Sequence, residues 1–246
     1  MANPSTVSIA QHRTAASALR EADFSVRFAS SAAAWTVVRA CVTEALSELF
    51  ECSLDLVTDG DATPEALVGQ GASFTVTRGE DPYGLRGVVT AVIDRGLVAG
   101  RRLAEVTVRP AMHVLTQRST FRIFQDMTAL EVVAEVLKDA GVHQEPGALV
   151  VQVDRSRLAR REYTPQYGET DLAFIARLLE DEGVTWRIDH ERSVETLELT
   201  DATRPRAFAA LRPRPWELMG DGGATATRET VRSLERSREV TVEKVT

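Results

Sequence analysis

Two stretches of this chain, residues 122–142 and 163–184, carry the same helix grammar, and any fold must bury one face of each. In the first, Thr128 and Glu131 stand in the Thr-x-x-Glu order of a capping box. There the hydroxyl accepts a free N–H of the first turn and the carboxylate reaches back to the N–H of the cap. Leu130, Val133, Ala134 and Leu137 follow at helical spacing, Lys138 complements the helix dipole, and Gly141 suits the left-handed closing residue. The second stretch repeats the pattern. Thr170 is the expected cap with Asp171 in the first turn, Leu172, Ile175, Ala176 and Leu179 form the stripe, and Gly183 ends it. Phe174 and Leu178 widen the apolar face, so this helix is expected to touch two neighbours. No residue of either expected stripe ionises, which suits packing rather than catalysis.

Ahead of the helices the period is two. Alternation predicts strands over 35–42, 50–56, 72–76, 85–93 and 104–108, with loops at 58–65 and 78–84. Gly87 marks a bend or a close backbone approach, and Gly96 and Gly100 bracket a turn. Antiparallel strands with short connections predict a small barrel or a sandwich. From 118 to 200 the two helices combine with strands at 148–153, 184–189 and 194–199, an α+β unit with a turn at 190–193. The expected division is therefore a mobile arm or poorly ordered first strand over 1–21, a first β domain over 22–117, an α+β domain over 118–200, and a last segment from 201 to 246 that crosses as a Pro-rich stretch over 201–223 and then alternates weakly at Val240 and Val242.

With 246 residues, 43% hydrophobic content and a formal net charge of −7, the composition is that of a globular protein without a general basic field for nucleic acid or anionic membrane. No stretch reaches the ~20 apolar residues of a membrane span. The start of the chain lacks the basic and apolar regions of a secretory leader, so export, if it occurs, is expected without one.

The candidate chemistry is sparse. The four histidines, His12, His113, His143 and His190, have no metal-ligand spacing, and His190, between Asp189 and Glu191, is expected in a solvated turn. Cys41 and Cys52 flank a hairpin around 44–49 and could face each other across it, but small buried thiols are the better expectation. Ser47 stands in that hairpin with no histidine nearby in sequence. Glu180, Asp181 and Glu182 form a carboxylate cluster at a helix C-terminus, where a solvated face outweighs hydrolytic work. Arg155, Arg157, Arg160 and Arg161, with Tyr163 and Tyr167 beyond, form a patch better suited to intersubunit or intrachain salt bridges than to nucleic acid. Trp35, Trp186 and Trp216 are expected as core or interface anchors. No catalytic, cofactor-binding, metal-binding or nucleic-acid-binding residue is assigned, and no cofactor is expected.

The strings RIFQDMTALEVVAEVL and YTPQYGETDLAFIARLLEDEGV, together with EALSELFECSLDL at 44–56, resemble the N-terminal hub region of the valine-glycine repeat protein G family, the spikes of type VI secretion. That family is similar to the baseplate hub and late-control proteins of contractile phage tails. Three blocks in the expected order, covering about Ala22 to the C-terminus, carry the resemblance. It implies an α+β chain with an N-terminal antiparallel β-barrel, a two-helix α+β unit and the start of a second β-barrel. It also implies a non-enzymatic homotrimer that joins the spike to the tube and baseplate, carries an effector or adaptor as cargo, assembles in the cytoplasm and leaves with the contractile apparatus. Family members continue through a full second barrel, an oligonucleotide/oligosaccharide-binding-type domain and a triple β-helix needle, whereas this sequence runs to Thr246, early in the second barrel. The alternatives are an adaptor or binding module for an effector or a separately encoded second half, and a phage tail baseplate hub protein.

Overall fold

The computed structural model describes residues 5–10, 23–59, 62–78, 81–201, 217–218 and 230–231. The chain forms two compact units, Met1–Arg13 with Ala22–Thr203, and Thr14–Glu21 with Arg204–Thr246. Of the second, the described part is a parallel pair of two-residue strands, Glu217–Leu218 and Thr230–Val231. The rest of the expected second barrel, including Val240 and Val242, lies outside the described residues, as do His12 and Trp216.

The first unit begins with seven antiparallel strands: β1 (Ser5–Ala10), β2 (Asp23–Phe28), β3 (Thr36–Glu44), β4 (Glu51–Asp59), β5 (Gly71–Arg78), β6 (Asp81–Val98) and β7 (Arg101–Arg109). Their order across the sheet is β1-β3-β4-β7-β6-β5-β2. β1 lies within 1–21, the segment expected as a mobile arm or a poorly ordered first strand. The sheet curls so that β2 comes back against β3, yet no ladder joins the two. Both edges of β3 are already taken, by β4 and by β1, so the expected barrel is a curled open sheet rather than one closed by hydrogen bonds. Leu54, Leu56, Phe74, Leu85, Val89, Val106 and Val108 fill its concave face.

Two turns expected from glycine and proline are shorter than expected, with strand taking up part of each. Asp81 to Gly84 continue β6, because β7 pairs with β6 only from Val88 onward. That leaves an open edge beside Pro82, where a missing N–H costs no ladder bond. Gly96 (φ 83°) is a bulge within β6, and the turn itself is Ala99-Gly100 (φ 50° and 79°), a two-residue hairpin loop with both residues left-handed. Gly87 is a close approach. A Cβ there would lie 2.4 Å from the Arg109 carbonyl oxygen, so no other residue fits without moving β7.

A short 3-10 helix, Ala111–Thr116, buries Met112 and Leu115 and leads into the α+β part. That part contains β8 (Ser119–Phe124), α1 (Ala129–Ala140), β9 (Leu149–Gln152), β10 (Thr164–Thr170), α2 (Asp171–Asp181), β11 (Thr185–Asp189) and β12 (Thr196–Thr200). β12 is central, antiparallel to β11 and parallel to β9. β8 and β10 pair separately as a two-stranded ribbon.

Both helices carry the expected caps. Thr128 accepts from the Glu131 N–H at 3.3 Å while Glu131 accepts from the Thr128 N–H at 2.8 Å, and Gly141 closes α1 with φ 71°. Thr170 accepts from the Ala173 N–H at 3.1 Å, and Gly183 (φ 68°) follows α2. The buried stripes are rotated from those expected. In α1, Ala129, Val132, Val133, Val136 and Leu137 are buried with Leu130 at the margin, and Ala134 is exposed. In α2 the stripe is Asp171, Phe174, Ile175, Leu178 and Leu179, because the bulk of Phe174 and Leu178 turns that face inward. An ionisable residue, Asp171, therefore lies on a buried stripe, contrary to expectation. The core runs without a break from the sheet through both helices to β12.

Candidate functional site

The sheet and the α+β part meet at a joint built from the turn between β3 and β4. Ser47 holds a left-handed backbone (φ 58°), which aims its N–H at the Trp186 carbonyl (2.9 Å) and lets its hydroxyl accept the Trp186 N–H (3.3 Å). Three residues earlier, the Glu44 carboxylate accepts from the Tyr83 hydroxyl at 2.6 Å and from His190 Nε2 at 2.7 Å. The imidazole stands edge-on to Phe50, ring centroids 5.2 Å apart. A further tie runs from Arg86 Nη1 to the Arg192 carbonyl at 2.6 Å. The hydrogen bond from His190 holds the Glu44 carboxyl below the usual carboxylate range, against burial and with help from Tyr83. Burial and the bond to Glu44 push the Tyr83 phenol up. Glu44, Tyr83 and His190 line a cavity of about 510 Å³. His190 does occupy the 190–193 turn, but its side chain is 12% exposed and fastened to β3, not solvated as expected. The sequence offered no signal for this, since Glu44 and His190 are brought together only by the docking of two subdomains.

The basic patch and the carboxylate cluster, weighed separately in the sequence, meet through Arg161, and the other paired arginines of the patch reach other carboxylates of the chain. Arg161 pairs with Glu182 at 2.6 Å and Asp181 at 3.5 Å, Arg160 with Glu131 at 3.2 Å, and Arg157 with Asp201 at 3.8 Å. Arg160 also donates to the Asp126 carbonyl. Three of the four arginines are thus spent within the chain, and Glu180 is left exposed beyond them.

A surface the sequence did not single out lies on the β8–β10 ribbon. Arg122 and Gln166 face inward, which turns Phe121, Ile123, Pro165 and Tyr167 outward. Phe121 and Tyr167 are 70% and 84% exposed and pack edge to face, centroids 5.0 Å apart, with the Phe121 ring over Gly168. The inner face centres on Asp171, fully buried. Its Oδ1 accepts from Arg122 Nη2 at 2.7 Å and from Gln166 Nε2 at 2.9 Å, while Arg118 Nε lies 3.0 Å from Oδ2 without the alignment of a hydrogen bond. The alternation over 119–124 and 163–167 was the available clue, hidden because both stretches run straight into helix signals.

The remaining candidates are structural. Cys41 stands opposite Ser53 and Cys52 opposite Val42, so the two thiols fall on opposite faces of the pleat and do not face each other. Both are free, and burial pushes the Cys52 thiol up to about 12. Trp35 and Trp186 are core residues. His113 sits on the 3-10 helix, its imidazole shifted down by burial and by Arg109. Among the described residues no cluster of three or more metal-ligating side chains occurs, and no helix is long and apolar enough to cross a membrane.

Comparison with known proteins adds a family. A family model described as phage tail baseplate hub (GPD) matches residues 43–246. The type VI secretion system spike protein VgrG1c of Pseudomonas aeruginosa is 35% identical over 165 residues, 65% of this chain and 22% of the relative. Spike protein VgrG5 of the same organism is 31% identical over 192 residues, 77% of this chain and 23% of the relative. The chain thus spans less than a quarter of these relatives' length. Among solved structures, the Escherichia coli c3393 protein, described as a type VI secretion component with structural similarity to T4 bacteriophage tail proteins gp27 and gp5, superposes with a TM-score of 0.64 at 25% identity. That match covers 72% of this chain and 49% of the other.

Proposed function

Because this chain belongs to the phage tail baseplate hub family, we propose that it is a structural hub component of a type VI secretion spike, assembled as a trimer that connects spike to tube and baseplate for effector delivery. The observation that carries this reading is the family match over 43–246, joined by similarity to about a quarter of the length of type VI secretion spike proteins. The internal build agrees with a mechanical role. A hub transmits force from a contracting sheath, so it needs a stiff body and complementary faces rather than a reactive side chain. The unbroken core and the joint at Glu44, Ser47 and His190 supply the stiffness. In this reading the chain assembles in the cytoplasm and is exported with the apparatus.

The test is the mass of the purified chain by light scattering behind a sizing column, over a range of concentrations. A stable mass three times the 26.9 kDa of the chain is the expected result. A monomer that persists to high concentration, or an open-ended aggregate, overturns trimer formation by this chain.

A further inference from the structure

A second polar cluster lies away from the joint. His143, in the loop between α1 and β9, holds a left-handed backbone (φ 52°) that turns its imidazole inward. The side chain is 2% exposed, and its Nε2 has no hydrogen-bond partner. Glu195, one residue ahead of β12, is 14% exposed and accepts the Ala111 N–H at 2.8 Å. Its Oε1 stands 3.7 Å from His143 Nε2, in ion-pair range but beyond a hydrogen bond. Both side chains line one cavity of about 560 Å³. The other charged groups around it are Arg27 on β2, Arg86 on β6 and Glu145 on the loop itself. Arg86 is committed to the Arg192 carbonyl.

A buried carboxylate and a buried imidazole whose Nε2 has no partner stand side by side. Ionised Glu195 rests on the Ala111 N–H, and a proton shared with the facing Nε2 neutralises its buried charge while giving that nitrogen a partner. We propose that His143 and Glu195 form a proton-operated latch, in which uptake of one proton by the pair closes their gap to a charge-assisted hydrogen bond and fastens the Gly141–Ala148 loop to the start of β12 and to the Ala111 corner. The proton count is the same whether the bond is carboxylic acid to imidazole or imidazolium to carboxylate, so the latch belongs to the pair. Burial pushes the Glu195 carboxyl up to about 7, and burial holds His143 below its usual value, so exchange falls near neutrality. Release above neutrality leaves an ionised carboxylate facing a neutral ring, and the loop loosens.

The test is hydrogen exchange of the backbone amides of 141–148 and 196–200, corrected for intrinsic rates, between pH 8.5 and pH 5.5. In the unaltered chain protection is expected to rise by about tenfold as the pH falls from 8 to 6, the effect of one unit of differential proton affinity. His143→Asn keeps a residue that tolerates the left-handed backbone, and Glu195→Gln keeps an acceptor for Ala111. Each variant is expected to abolish the pH response in these amides while leaving protection of the Ser47 and Trp186 amides at the joint unchanged. Protection that is flat with pH in the unaltered chain, or a response in either variant equal to that of the unaltered chain, overturns the latch. Should either variant fold poorly, the ring proton shifts of His143 against pH in the unaltered chain decide. Titration that moves with loop protection supports the latch, and an imidazole that titrates independently of it overturns it.

Discussion

Asp171 carries more of the α+β part than its single charge suggests. It opens α2, where a carboxylate complements the helix dipole, and from there it gathers Arg118, Arg122 and Gln166. Removing its charge takes the one fully buried carboxylate out of the cluster, but Arg122 keeps Asp139 as a partner at 2.7 Å, so the cost falls toward the lower end of roughly 3–5 kcal/mol. Asp171→Asn is therefore expected to lower the unfolding free energy by that amount, read as a lower urea midpoint at unchanged slope. Asp181→Asn, which loosens an exposed pair with Arg161, is expected to cost at most about 1 kcal/mol. Equal costs in urea unfolding would refute the ranking. The first-turn position of Asp171 was legible in the sequence. Its burial was not, because its two arginine partners lie about fifty residues upstream and reach it only through the β8–β10 pairing. Gly87 is the opposite case, since glycine within an alternating run has few readings besides a bulge or a close approach, and the Arg109 carbonyl supplies the latter.

At the scale of elements, the helices and most strands were legible because their signals are local. Capping, spacing and closing glycine act within a few residues. Thr128→Ala removes one half of the capping box and is expected to cost about 1 kcal/mol, measured by thermal unfolding. Pairing order, the ribbon and the joint were not legible, since each depends on which segments meet. The joint has a pH signature of its own. The Glu44 carboxyl is held below its reference value of 4.5, chiefly by His190. A group depressed in the folded state stabilises fully above its unfolded value, and that contribution is lost as the pH falls through the folded value. The joint is thus expected to weaken below pH 4.5, with full strength above it. Glu44 is 41% exposed, so its share is held to about 1 kcal/mol. Glu44→Gln is expected to lower stability at pH 7 and to remove this acid limb. A variant with the unaltered stability–pH profile would show that the contact carries no weight.

For the whole first unit, the decisive property is that one core serves both subdomains. Met112 and Leu115, on the 3-10 helix between them, are 1% and 0% exposed. That helix packs on α2, whose Phe174 stacks on Phe124 of β8, and the Trp186 backbone is bonded to the turn between β3 and β4. Separate domains joined by a polar contact would melt separately, whereas a shared apolar core couples them. The two buried tryptophans make this measurable, as Trp35 reports on the sheet and Trp186 on β11. In Trp216→Phe chains retaining only one or the other, fluorescence is expected to give coincident denaturation curves, the mark of a single transition. Leu115→Ala is expected to shift both curves together by roughly 2–5 kcal/mol, the usual cost of emptying a fully buried leucine site. If Trp186 instead reports an earlier transition, the joint is a hinge rather than a weld. A hinge would let the α+β part swing under load, whereas a weld passes contraction force through the sheet as through one body. The mechanical reading of the hub therefore turns on whether these two curves overlay.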